Sequence, residues 1–257
     1  MIGSRLAGWW LASAVGTVAV LLLSPKSPGD RLRARAAAAA TALGRQLNAA
    51  VREQATVSGR EAALAAKHEL MTAFAATPYR PTGLATADQA LTSAVQVLEW
   101  CASLICDALE GHLDPGRAAA ADRRLLCAAA GALCDVGALL SGADVTPDLD
   151  GLERARAAST AYQRDLARER DLAGDPERVR AYAANTFHAQ TIAVAARTAA
   201  SDALIATRRA DPATIAVQRR SWYGDRRCRR GGQHCGRRAG VLSGGRLPGQ
   251  YRSRPRR

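Results

Sequence analysis

Residues 6–23 read LAGWWLASAVGTVAVLLL, an apolar stretch without a single charge, followed at once by PKSPGDRLR. Rising about 1.5 Å per residue, a helix of this length covers roughly 27 Å, close to the roughly 30 Å hydrocarbon core of a bilayer. A secretory signal usually carries a shorter apolar run of about 7–15 residues and ends in a small-x-small cleavage site. The stretch here exits through LLLSPKSPG, which lacks that pattern. A membrane-spanning helix is therefore the preferred reading, ahead of a cleaved signal and of a buried helix in a soluble core.

Within the stretch, Gly8, Ala12 and Gly16 recur at spacing four, with Ser13 and Thr17 beside them. That spacing puts three small residues on one stripe of a helix. In lipid such stripes let helix backbones approach, because packing and interhelical hydrogen bonds replace the hydrophobic drive. The stripe predicts association with further transmembrane helices, of a larger membrane bundle or of a second copy. The plainer reading is that an alanine-rich chain produces such spacings by composition. Trp9 and Trp10 near one end suit an interfacial aromatic belt. Lys26, Arg31, Arg33, Arg35 and Arg45 follow the stretch against one acid, Asp30, whereas only Arg5 precedes it. By the positive-inside rule the C-terminal side faces the cytoplasm, and the expected location is the plasma (inner) membrane.

Downstream, residues 30–217 carry helical periodicity almost throughout. Leu32, Ala36, Ala39, Leu43, Leu47 and Ala50 step by threes and fours, as one buried face requires. Ser58 and Glu61 have the form of a capping box, with Leu64, Met71 and Phe74 behind it. Thr86 with Gln89 repeats that signal ahead of Leu91, Val95, Leu98, Ala102, Ile105 and Leu109. Asp114-Pro115 and Asp175-Pro176 each offer an N-cap acid and a proline at the first helical position. The first predicts a helix through Leu125, Leu126, Ala129, Leu133 and Leu140, closing near Gly142. Leu152, Ser159, Tyr162 and Leu166 mark another, and Val179, Ala183, Phe187, Val194 and Leu204 a long last one. No stretch alternates with period two between turn signals, so strands are not expected. The fold class is all-α: a transmembrane helix (6–23), a cytosolic helical bundle (30–217) and a disordered Arg/Gly-rich tail (218–257).

The net charge of +13 invites a nucleic-acid reading, which the distribution undoes. Thirteen arginines against the single acid Asp225 lie in residues 218–257, leaving the rest of the chain nearly neutral. Three readings compete for that tail. It is a basic arm for phosphate-bearing partners such as nucleic acid or anionic lipid, a metal knuckle of Cys228, His234 and Cys235, or shifted-frame translation of a GC-rich gene. The knuckle lacks the paired spacing and four ligands of a zinc site. The shifted frame is favoured, since helical periodicity stops after Gln218 and only Lys26 and Lys67 represent lysine in the chain. No specific nucleic acid is expected as a partner.

Catalysis has little to stand on. His68, His112, His188 and His234 are scattered, with neither HExxH nor metal-ligand spacing, and the chain has no G-x-S-x-G, phosphate loop or G-x-G-x-x-G. No catalytic, cofactor-binding or metal residue is assigned. Cys101, Cys106, Cys127 and Cys134 fall in helical pattern, where free thiols behave as small apolar side chains. Arg123-Arg124 and Arg208-Arg209 read as solvated faces or as charges complementing helix C-termini. Tyr79, Arg80 and Pro81 form a turn between helices and a candidate contact with another part of a larger assembly.

Two segments carry a resemblance. GWWLASAVGTVAVLLLSPKSPGDRLR (Gly8–Arg33) resembles the last membrane helix of the first half of actinobacterial fusaric-acid-resistance-like (FUSC) proteins, together with its exit. ATPYRPTGLATADQAL (Ala76–Leu91), with Glu99 and Trp100 following, is similar to a recurrent stretch of their intracellular helical region. The likeness extends over roughly residues 7–217. It implies a membrane transport protein related to aromatic-acid exporters, built from a bundle of membrane helices, a soluble helical region and a second bundle. Against that layout the chain reads as a fragment supplying one span and the intracellular domain, not transport-competent alone. The contrasting expectation is a single-span protein whose helical domain binds a partner and whose basic tail binds polyanions.

Overall fold

Small residues set how closely α-helices approach among the described residues, alongside a core of buried leucines. The computed structural model describes residues 9–10, 13–17, 28–76, 85–112, 118–166 and 176–217. The chain divides into two units, Met1–Pro212 and Ala213–Arg257. In the second, the described residues 213–217 are helical.

The first unit holds α1 (Pro28–Val51), α2 (Val57–Ala75), α3 (Thr86–Asp107), α4 (Ala120–Leu140), α5 (Leu149–Leu166) and α6 (Pro176–Ala206), with a π-helical turn at Ala108–His112 continuing α3. The described residues contain no strand. Helices α1, α4, α6 and α3 pack in a ring, α1 on α4, α4 on α6, α6 on α3 and α3 on α1. Helix α2 lies mainly on α1, and α5 lies on α4 and α6. The core combines Leu43, Leu47, Leu98, Ile105, Leu125, Leu126 and Leu133 with a continuous alanine face on α6.

The α1–α4 crossing shows why so much alanine is needed. A Cβ added to Gly44 would lie 2.7 Å from Cys134 Sγ and 2.8 Å from the Ala130 carbonyl oxygen. One added to Gly137 would lie 2.8 Å from the Ala37 carbonyl oxygen and against the Thr41 hydroxyl. Ala37 therefore faces Gly137 while Gly44 faces Ala130, so the helices run antiparallel with their backbones in near contact. The residues at the seam, Ala37, Thr41 and Gly44 against Ala130, Cys134 and Gly137, share the same four-then-three spacing on each helix. Small residues bury little area each, and close approach recovers attraction through many more atom pairs.

Three helices end alike. Glu53, Gly142 and Arg208 all sit at positive φ, 58°, 93° and 58°. In each case this residue's N–H bonds three residues back and the next N–H five back, as in Gly142 to Leu139 and Ala143 to Ala138, both 3.0 Å. That pattern satisfies carbonyls left open at a helix C-terminus and ordinarily employs glycine. At Glu53 and Arg208 a Cβ occupies the left-handed conformation, at a cost of about 1–2 kcal/mol each. Arg209 then donates to Asp144 Oδ1 (2.6 Å) and to the Ala143 carbonyl (3.2 Å), tying the end of α6 to the loop after α4.

The starts differ from the sequence expectation. The N-cap of α2 is Thr56, whose hydroxyl accepts from the Gly59 N–H at 3.1 Å, so Ser58 and Glu61 lie inside the helix. Helix α3 begins at Thr86 as expected, but behind Ala85 and with no side-chain cap. Asp114-Pro115 lies outside the described residues, and the described part of α4 begins at Ala120. The largest departure is on α6. Of the expected stripe Leu204 is buried and Val194 half-buried, but Val179, Ala183 and Phe187 are exposed, while Asn185, Thr186, Ala189, Ile192, Ala196 and Ala203 are buried.

Candidate functional site

The residues singled out by sequence lie mostly beyond what the structure describes. Gly8 and Ala12 of the small-residue stripe fall outside the described residues, as do Tyr79, Arg80 and Pro81 and the trio Cys228, His234 and Cys235. Gly16 lies in the helical segment 13–17 with open space around its Cα, and Trp9 and Trp10 are exposed. Among the described residues no helix is long and apolar enough to cross a membrane.

What the fold does bring together is a polar seam that sequence reading missed. Asp122, in the first turn of α4, is only 1% exposed. Its Oδ1 accepts from the Ser159 hydroxyl of α5 at 2.6 Å, and its Oδ2 from the Thr186 hydroxyl of α6 at 2.7 Å. Gln190, one turn along α6, donates through Nε2 to the Ser159 Oγ at 2.8 Å. A relay from carboxamide to hydroxyl to carboxylate thus joins three helices. Among the described residues no cation pairs with Asp122. Its charge is met instead by two short hydroxyl bonds and by the positive end of α4, which favours an anion in its first turn.

Chemically the seam holds rather than reacts. Ser159 is fully buried and its proton is directed at Asp122. A nucleophilic serine needs an adjacent base that can take its proton and a space for the substrate, and Ser159, at 0% exposure, offers a substrate no access. A similar bond ties α3 to α6, where the Ser93 hydroxyl donates to the buried Asp202 at 2.7 Å. On the seam's outer side Glu153 of α5 meets Arg156 at 2.8 Å and Arg197 of α6 at 3.9 Å.

Comparison with family models, with curated proteins and with solved structures returns no match.

Histidines and cysteines are dispersed. His68 is exposed on α2, and His188 stacks edge-on against Phe187 with ring centroids 5.7 Å apart. Among the described residues no group of three or more His, Cys, Asp or Glu side chains could hold a metal ion. The four described cysteines are free thiols, Cys101 buried and Cys127 exposed. Complete burial pushes the Cys101 thiol up to about 12, and burial also raises Cys106 and Cys134. Because the thiolate is the reacting form, maleimide at neutral pH is expected to label Cys127 of the native chain rapidly and Cys101 only after denaturation. Peptide mapping by mass spectrometry checks this, and early labelling of Cys101 would mean that α3 opens readily.

Proposed function

We propose that this chain belongs to a FUSC-type membrane transport protein related to aromatic-acid exporters. It supplies one span, residues 6–23, and the helical domain on the cytoplasmic side. The observation that carries the reading is a charge-free stretch long enough to cross a bilayer, whose basic exit leads straight into an all-α bundle. The TPYRPTG segment supports it, falling between α2 and α3, where a turn can meet other parts of a transporter. Transport then requires further membrane helices beside residues 6–23, the stripe of Gly8, Ala12 and Gly16 being the contact face. Asp122 and its hydroxyl partners keep α4, α5 and α6 rigid, so that a force on one helix reaches the other two.

The test has two parts. In cells, carbonate washing should leave the chain in the membrane pellet, and membrane-impermeant maleimide should reach Cys127 only after the cells are opened. Deleting the coding region should also raise accumulation of aromatic acids in the host. Release by carbonate sinks the span, and unchanged accumulation sinks the transport role. The thirteen arginines of residues 218–257 favour a second reading, a single-span protein acting through a polyanion-binding tail. Loss of cellular function on deleting residues 218–257 alone would select it.

A further inference from the structure

We propose that α2 is a hinged strap, which swings off the bundle as a unit while α1, α3, α4, α5 and α6 stay folded. Of its nineteen residues, Ala63 and Leu70 are the two that are buried, whereas the twenty-one residues of α4 include twelve. Residues 57–62, the first turns of α2, are all exposed, and an open groove separates them from Ala42, Arg45 and Ala49 of α1. Ala66, Ala73 and Phe74 add partial contact with the core. The free energy of opening an element follows the apolar contact it gives up, so α2 leaves the bundle far more readily than α4 does.

Helix α5 also buries two residues, Leu152 and Ser159, but it is held differently. Its Ser159 hydroxyl serves the buried Asp122 carboxylate, and lifting α5 breaks that bond. The polar ties of α2 lie nearer the solvent. Arg35 of α1 meets Glu69 with both side chains exposed. Lys67 reaches Glu99 of α3 at 3.4 Å and donates to the Ser103 hydroxyl at 3.2 Å. Ion pairs open to water add little stability and are screened by salt. They serve as latches that close α2 without locking it, and rising ionic strength favours the open form.

The joint between α1 and α2 is built to turn. The left-handed Glu53 closes α1, its N–H bonded to the Ala50 carbonyl at 3.1 Å and the Gln54 N–H to the Ala49 carbonyl at 2.8 Å. Thr56 caps α2 through the Gly59 N–H. Each helix is therefore finished by its own bonds, and rotation about Ala55 between the two caps breaks neither. Closure also leaves a debt on the α1 side of the groove, where the Gln46 Oε1 is buried without a donor. Native proteins rarely keep a buried acceptor unmet. Opening admits water to the groove and offsets part of the packing lost. The open form exposes Ala63 and Leu70 together with the surface of α1 on which α2 lies. This device stands independently of the transport reading.

The test is native-state hydrogen exchange of the purified full chain in zwitterionic micelles, read by mass spectrometry at rising sub-denaturing urea. Corrected for intrinsic rates, the α2 amides should exchange about a hundredfold faster than those of α4 and α6, or more. Their exchange should depend little on urea, because the opening exposes little surface. The α5 amides should stay protected through the same urea range. The double variant Arg35→Gln/Lys67→Gln should speed α2 exchange about threefold or more. The proposal is overturned if α2 exchanges as slowly and with the same steep urea dependence as α4, or if α5 opens as readily as α2. Wild-type exchange of α2 in the double variant would overturn the latches.

Discussion

Gly137→Leu is expected to destabilise the chain by about 3 kcal/mol or more, a large part of the roughly 5–15 kcal/mol that holds an ordinary domain together. Extra methylenes in a packed core usually cost about 1–3 kcal/mol, because neighbouring side chains turn aside. Here the first atom added meets backbone, the Ala37 carbonyl oxygen 2.8 Å away. No rotamer change relieves that contact, so α1 and α4 must separate along their length. Gly44→Leu should behave alike, since its Cβ would stand 2.8 Å from the Ala130 carbonyl oxygen. Gly131 supplies the control on the same helix, with nothing within 4 Å of an added Cβ. Gly131→Ala should stabilise by up to about 1 kcal/mol, the difference in helix propensity. Urea titrations followed by circular dichroism measure all three. A Gly137→Leu variant as stable as the native chain would mean that the helices do not cross there.

That crossing also shows which parts of the fold a reader of the sequence can reach. Leu32, Ala36, Ala39, Leu43, Leu47 and Ala50 are all buried, as their spacing predicts, and so are Leu91, Val95, Leu98, Ala102 and Ile105. Periodicity works on α1 and α3 because large apolar residues and the buried face coincide. On α6 they do not. Val179 and Phe187 suggested the stripe, yet the helix turns alanines and Thr186 inward so that Thr186 can meet Asp122. A hydroxyl two helices away from its acceptor leaves no mark on local spacing. The same holds for Glu53 and Arg208, whose left-handed backbone has no glycine to announce it, whereas Gly142 does.

The seam around Asp122 leads to the second large effect. Ser159→Ala with Thr186→Val should destabilise by about 3–5 kcal/mol, the usual cost of stripping partners from a buried charge. Each single change should cost less, because one hydroxyl and the α4 N-terminus still serve the carboxylate. Asp122→Asn should fall between, since its carbonyl oxygen accepts from one hydroxyl while its amide group faces the other. The decisive variant removes charge and partners together, as Asp122→Leu/Ser159→Ala/Thr186→Val. If desolvation of Asp122 dominates, this triple variant recovers much of what the double variant loses, because an apolar cluster needs no partners. Gln190 limits the recovery, since its Nε2 then keeps only the weaker bonds at 3.3 Å to the Arg156 carbonyl and the Thr160 hydroxyl. Thermal unfolding of the five variants orders them. A triple variant no more stable than the double one would show that the hydroxyl–carboxylate bonds, rather than the burial of an unmet charge, hold α4, α5 and α6 together. The seam would then be a source of stability in its own right and not a cost offset by its partners.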